Sequence, residues 1–213
     1  VATPISICSG GSVVFNGSTS TNVAGGLNWN FSNGGSQASA TGAGPHTISY
    51  SNPGTFTAIL NGTDFAGCTS TETVTINVSS IPNAPQVSSV TYCQGTTANA
   101  LSAAGTNLLW YPTATGGIGS ATAPTPSTAN PGTFSFYVSQ TTNGCESPRA
   151  QLNVIVTPMP TMDVPTNLEA CPGEIIPSVT FTSSLSNVTY AWSNNTTTIG
   201  IAASGASSLP SFT

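Results

Sequence analysis

Nowhere does this chain hold a helical hydrophobic period over about eleven residues without a Gly, a Pro or a β-branched interruption. The apolar residues come instead in short runs rich in Val, Ile, Thr and Phe. Many alternate, as in Val74, Ile76, Val78 and in Phe134, Phe136, Val138. A period of two puts every second side chain on one face of a strand. Residues 11–15, 54–60, 72–78, 133–139, 151–156 and 179–182 read as strands in this way. Between them stand turn residues: Gly25-Gly26, Asn33-Gly34-Gly35, Asn52-Pro53-Gly54, Asn61-Gly62 and Asn143-Gly144. The pattern predicts an all-β chain of sandwich type.

Two proline-rich joints divide the 213 residues, Ile81-Pro82-Asn83-Ala84-Pro85 and Thr157-Pro158-Met159-Pro160-Thr161. Each follows an alternating strand, and proline there blocks further pairing and stiffens the connection. An internal repeat supports the same division. Trp29 follows Cys8 by 21 residues, and Trp192 follows Cys171 by 21, whereas Trp110 follows Cys93 by 17. Cys68 and Cys145 each sit in a Gly-Cys hairpin, Ala66-Gly67-Cys68 and Asn143-Gly144-Cys145, just before a final strand. The expected modules are 1–80, 83–157 and 161–213, the third incomplete, at a period near 80 residues.

Charge removes several functions. Only 3% of residues are charged, with Arg149 the sole cation besides His46. No basic patch exists for nucleic acid or for anionic lipid. No run approaches the length of a membrane span, and residues 1–15 lack a basic signal-peptide start, so direct membrane insertion is not expected. His46 has no acid at motif distance to orient it, and no Gly-x-Ser-x-Gly elbow occurs. Glu169 and Glu174 flank Cys171-Pro172 in a loop, and Asp64 is a single carboxylate where calcium wants several. The reading is therefore no enzyme, no metal and no cofactor. Five cysteines without a CxxC, in a polar Thr-rich β chain, read as disulfide formers of an exported protein.

Particular motifs carry a family resemblance. Trp29-Asn30-Phe31-Ser32-Asn33-Gly34 and the stretch from His46-Thr47-Ile48-Ser49-Tyr50 to Pro53-Gly54-Thr55-Phe56 make the first module resemble a PKD domain. Asn30 and Asn33 stand where that family's turn carries acids. The middle module resembles the Ig-like repeats of very large Bacteroidetes surface proteins. The carriers are Val90-Thr91-Tyr92-Cys93-Gln94-Gly95, Leu109-Trp110-Tyr111, Gly116-Gly117, Ala123-Pro124-Thr125-Pro126 and Asn143-Gly144-Cys145-Glu146-Ser147-Pro148-Arg149. The third resembles PKD-like repeats of the same proteins through Ala170-Cys171-Pro172-Gly173-Glu174 and Tyr190-Ala191-Trp192-Ser193-Asn194. The resemblance implies tandem Ig-like and PKD-like sandwiches in a rod-like array, within a giant cell-surface adhesin exported by type IX secretion, some of which serve gliding.

On this plan Trp29, Trp110 and Trp192 are one core tryptophan per module. The expected disulfides are Cys8–Cys68 and Cys93–Cys145, each within a module, with both cysteines at one pole. Cys171 is left unpaired, its counterpart expected near position 231, and the third module then needs closing strands from following sequence or from another chain. The functional expectation is an extracellular stalk or surface filament whose partners are neighbouring repeats. Two alternatives stay open: a polysaccharide-binding module of a glycan-degrading enzyme, favoured by a row of exposed aromatics, and a subunit polymerising with other copies by strand exchange.

Overall fold

The computed structural model describes residues 1–23, 26–163 and 165–213. Gly25 of the Gly25-Gly26 turn and Val164 of the third region lie outside the described residues. The described chain is all-β, with one turn of 3-10 helix at Thr197–Ile199. Its strands are β1 (Ala2–Thr3), β2 (Ser6–Cys8), β3 (Ser12–Phe15), β4 (Gly26–Asn30), β5 (Ser39–Thr41), β6 (His46–Ser49), β7 (Gly54–Thr63) and β8 (Thr69–Ser79). There follow β9 (Val90–Cys93), β10 (Leu109–Tyr111), β11 (Gly132–Ser139), β12 (Thr141–Thr142), β13 (Cys145–Glu146), β14 (Ala150–Thr157), β15 (Ala191–Ser193) and β16 (Ser204–Ala206). Val1–Thr91, Ala98–Ser127 and Thr133–Ile155 form one compact unit; Tyr92–Thr97, Thr128–Gly132 and Val156–Thr213 form a second.

In the first unit, a three-stranded sheet β1-β3-β6 faces a five-stranded sheet β2-β8-β7-β4-β5. Alternation dictates what lies between them. β3 reads Ser-Val-Val-Phe and buries Val13 and Phe15 while Ser12 and Val14 point outward. β4 buries Leu27 and Trp29, and β8 buries Ile76 and Val78. Each such side chain contributes about 1.5–3 kcal/mol on burial. At the centre Phe15 meets Trp29 edge-on at 5.6 Å, and Phe31 stacks on Trp29 at 5.9 Å. The Trp29 Nε1 donates to Gly42 O at 3.1 Å. The edge strand β2 runs parallel to β8, with Cys8 level with Ser79.

A second sheet follows the order β10-β11-β14-β9, with the β12–β13 hairpin beside it. β14 alternates Leu152, Val154 and Val156 inward. Residues 90–157 hold six strands, and 112–131 forms only an isolated bridge from Ser120 to Trp110. Gly116 and Gly117 take positive φ there, and Pro124 and Pro126 have no N–H for a ladder.

Within the second unit, β15 pairs antiparallel with β16, placing Trp192 opposite Gly205. The strand expected at 179–182 does not form. Val179 makes only an isolated bridge with Leu209, and Ile176 one with Phe212. No described residue of 161–213 is fully buried. Trp192 is half-buried, less enclosed than Trp29 and Trp110. Its Nε1 is buried with no hydrogen-bond partner among the described residues.

Candidate functional site

The one covalent cross-link of the described structure joins Cys8 to Cys145, with Cα atoms 5.6 Å apart. This corrects the expected pairings Cys8–Cys68 and Cys93–Cys145. Cys68, Cys93 and Cys171 are free and exposed. The reason lies in strand direction. Because β2 is parallel to β8, Cys8 stands beside the end of β8 at Ser79, whereas Cys68 precedes its start at Thr69. The length of β8 separates them by about 33 Å. A disulfide spans Cα atoms less than about 7 Å apart. Cys93 repeats the arrangement. Its neighbour Gln94 donates to Thr157 O at 2.8 Å, at the end of β14, whereas Cys145 precedes the start of that strand.

Local sequence fixes both partners of the bond. Cys8 opens a tight turn, Cys8-Ser9-Gly10-Gly11, closed by Gly11 N donating to Cys8 O at 2.8 Å. Gly10 takes φ +85° at the third position, where a type II turn requires positive φ. Ser9 N then donates to Ser79 O at 2.9 Å, pinning the turn to β8. Cys145 follows an Asn143-Gly144 turn in which both residues have positive φ, the requirement of a two-residue hairpin.

A polar node holds that hairpin in place. Tyr111 Oη and Ser139 Oγ both donate to Glu146 Oε1 at 2.6 Å. These bonds, the Ser139 one foremost, then the Tyr111 one, hold the Glu146 carboxyl below its usual range against the opposing effect of burial, with Arg149 adding the smallest contribution. The Arg149 guanidinium lies 3.3 Å above the Tyr111 ring and donates to Thr113 O and Gly116 O, each at 2.8 Å. Gln140 ties the node to the first proline joint: its Nε2 donates to Asn83 O at 2.7 Å, while its backbone N donates to Ser147 Oγ at 3.0 Å. Gln86, just past the joint, exchanges backbone bonds with Ala104. The joint is thus closed by a disulfide, a side-chain clamp and a bridge.

The remaining candidates take structural places. His46 packs edge-on to Trp29, with Nε2 3.3 Å from Gly42 O. The Asp64 carboxylate accepts from Ala66 N and Cys68 N, so it shapes its own turn. Among the described residues no three His, Cys, Asp or Glu side chains gather as a metal site. No described helix is long and apolar enough to cross a membrane. An apolar cleft of about 380 Å³ lies beside Tyr111, Pro112, Ile118 and Phe136, but the Trp110 at its wall is only 4% exposed. The alternation of the strands was readable beforehand, whereas the cross-link was not. The signal that would have found it is the length of the strand that follows Cys68, which keeps it far from Cys8.

These features define an all-β protein of Ig-like β-sandwich class. Residues 82–158 match the family described as "Ig-like domain CHU_C associated", so the chain carries an Ig-like domain there. No curated protein matches the chain. Among solved structures, titin domains I67–I69 align at 11% identity and TM-score 0.44, over 90% of this chain and 76% of that one. Carbohydrate-binding modules from the β-sandwich superfamily align at 23% identity and TM-score 0.33, over 66% of this chain. The chain spans 52% of that structure's length. A Bacteroides ovatus mixed-linkage glucan locus protein, SGBP-B, aligns at 12% identity and TM-score 0.20, over 79% of this chain and 48% of that one.

Proposed function

We propose that this chain is a structural segment of a long extracellular surface protein, three consecutive sandwich modules divided at the two proline joints, that bears tension between the cell and a binding tip. The Cys8–Cys145 bond across the first joint is the observation that carries this reading. A bond that closes a joint between sheets does nothing for catalysis and much for resistance to pulling. Where that bond is reduced, the parallel pairing of β2 with β8 takes the load. Tension applied through the first and last strands of that sandwich runs along their axes in opposite directions. It therefore loads their shared hydrogen bonds together, not one after another. A charge-poor Ser, Thr and Asn surface suits a salty exterior, because there is little for ions to screen. The resemblance of the modules makes an adhesin or surface filament of the type IX export class the specific form proposed, with neighbouring repeats as its direct partners. The burial of Trp29 and Trp110 takes these two rings out of any aromatic row that a polysaccharide-binding role would use. The test is single-molecule pulling of the chain before and after reduction. In a stalk segment the residues between Cys8 and Cys145 do not extend while oxidised, and after reduction the β2–β8 sandwich yields as a unit in a discrete force peak. Smooth extension at low force would overturn the reading, as would tight retardation of the chain in gels containing soluble polysaccharide.

A further inference from the structure

The five cysteines fall into two geometric types. Cys8, Cys93 and Cys171 each open the same turn: Gly11 N donates to Cys8 O at 2.8 Å, Thr96 N to Cys93 O at 3.2 Å and Glu174 N to Cys171 O at 3.0 Å. The third residue of each turn is a glycine at positive φ, Gly10 (+85°), Gly95 (+79°) and Gly173 (+87°). The first two turns also dock alike, Ser9 N on Ser79 O and Gln94 N on Thr157 O, each at the end of its sandwich's last strand. Cys68 and Cys145 are the second type. Each follows a glycine at positive φ, Gly67 (+87°) or Gly144 (+78°), and precedes a long final strand. The one bond present joins one cysteine of each type, Cys8 with Cys145. Cys68 and Cys93 are left exposed with the geometry of bonded counterparts in the same chain.

We propose that Cys68 and Cys93 are the open halves of two further joints of the Cys8–Cys145 kind, each made to an adjoining sandwich module. Cys68, a hairpin cysteine, takes the turn cysteine of a Cys-x-Gly sequence. Cys93, a turn cysteine, takes the hairpin cysteine of a Gly-Cys sequence. Position rules out a bond within one sandwich, since the two types stand at opposite ends of its last strand, as Cys8 and Cys68 do. Exposure keeps both thiols available to a partner and to an oxidant. Each bond forms by exchange with an oxidising dithiol–disulfide protein. One thiolate attacks the oxidant's disulfide and expels one oxidant thiolate. The partner thiolate then displaces the second oxidant sulfur. Two module thiols lose two electrons and two protons, and the oxidant's disulfide is reduced to two thiols. The inference rests on the geometry of the joint and not on the tension-bearing reading; a chain that fails to resist force leaves it intact.

Disulfide mapping of the whole native protein is the test. Free thiols are blocked with N-ethylmaleimide during acid-quenched extraction, and the protein is cut without reduction by chymotrypsin and a glutamyl protease. The expected result is that the Cys68 peptide is released joined to a Cys-x-Gly peptide, and the Cys93 peptide joined to a Gly-Cys peptide, with Cys8–Cys145 intact. Maleimide on Cys68 or Cys93, a Cys68–Cys93 bond within one chain, or bonds between cysteines of the same type would each overturn it.

Discussion

Cys8 lies level with Ser79, at the end of β8 farthest from Cys68, because the edge strand β2 runs parallel to β8. That single direction decides which cysteines can meet. The resulting bond closes a loop with a sequence separation of 137 residues, which the loop-entropy treatment values at about 5 kcal/mol. Cys8→Ser is therefore expected to lower the urea midpoint strongly, by up to that amount of stability. Cys68→Ser removes only an exposed thiol and should change stability by less than about 0.5 kcal/mol. Thiol titration of residues 1–213 alone, folded and oxidised without adjoining modules, should count three reactive groups, Cys68, Cys93 and Cys171. A large loss of stability in Cys68→Ser with none in Cys8→Ser would reverse the assignment.

Arg149 is the only residue after which trypsin cuts, and its side chain is occupied on three sides. Its guanidinium caps the Tyr111 ring and serves two carbonyls, and the next residue opens β14. Protease requires both the extended side chain and a freed backbone, so the native chain should survive trypsin while the unfolded chain is cut once. Tyr111→Ala removes the platform and the Glu146 bond together, and cleavage after Arg149 should accelerate. Fast native cleavage in the unaltered protein would show that the node is open in solution.

The parts of this fold readable in advance are those fixed by a strand's own alternation. Val74, Ile76 and Val78 announce β8, and Phe134, Phe136 and Val138 announce β11, because period two is written in each segment alone. What depends on a partner was not readable. The stretch 179–182 has strand composition but bridges at a single residue, since β-propensity measures fit to neighbours more than an intrinsic preference. The same applies to the joint. Nothing in Ser6-Ile7-Cys8 states whether β2 lies parallel or antiparallel to β8, yet that choice moves Cys8 from one end of the sandwich to the other. The node around Glu146 was equally hidden, because Ser139, Tyr111 and Glu146 come from three separate strands.

Glu146 gives the chain an acid-sensitive joint. Its carboxyl is held below the usual range by Ser139, then Tyr111, with Arg149 adding attraction. A group with a lowered folded value binds its proton more readily when unfolded. Its contribution is present above the usual glutamate range and is lost as pH falls from that range through the lower folded value. The denaturation midpoint should drop across that window, and Glu146→Gln should flatten the drop. An equally steep acid loss in Glu146→Gln would place the effect elsewhere.

Tyr50 behaves in the opposite sense. Its ring is fully buried against Phe56 and its hydroxyl has no partner among the described residues. Burial raises its pKa above the usual tyrosine value. Stability is then complete below that value and falls as pH climbs through the raised one, since the unfolded chain ionises first. An unsatisfied buried hydroxyl costs about 1–3 kcal/mol, so Tyr50→Phe should leave the protein as stable or more so, and less sensitive to alkali. A clear destabilisation would mean that the hydroxyl has a partner in solution.

Force offers the most direct view of the Cys8–Cys145 bond. In the oxidised chain, residues between the two cysteines cannot extend whatever becomes of their hydrogen bonds. Only residues outside that loop lengthen the molecule. Reduction frees a separation of 137 residues, and at about 3.5 Å per extended residue this adds about 480 Å of contour. Pulling the same molecules before and after dithiothreitol should show that increment, and Cys145→Ser should show the long extension without reductant. Had the bonds been Cys8–Cys68 and Cys93–Cys145, reduction would release two shorter increments, so the single long one distinguishes a clamp across the joint from a clamp inside each module.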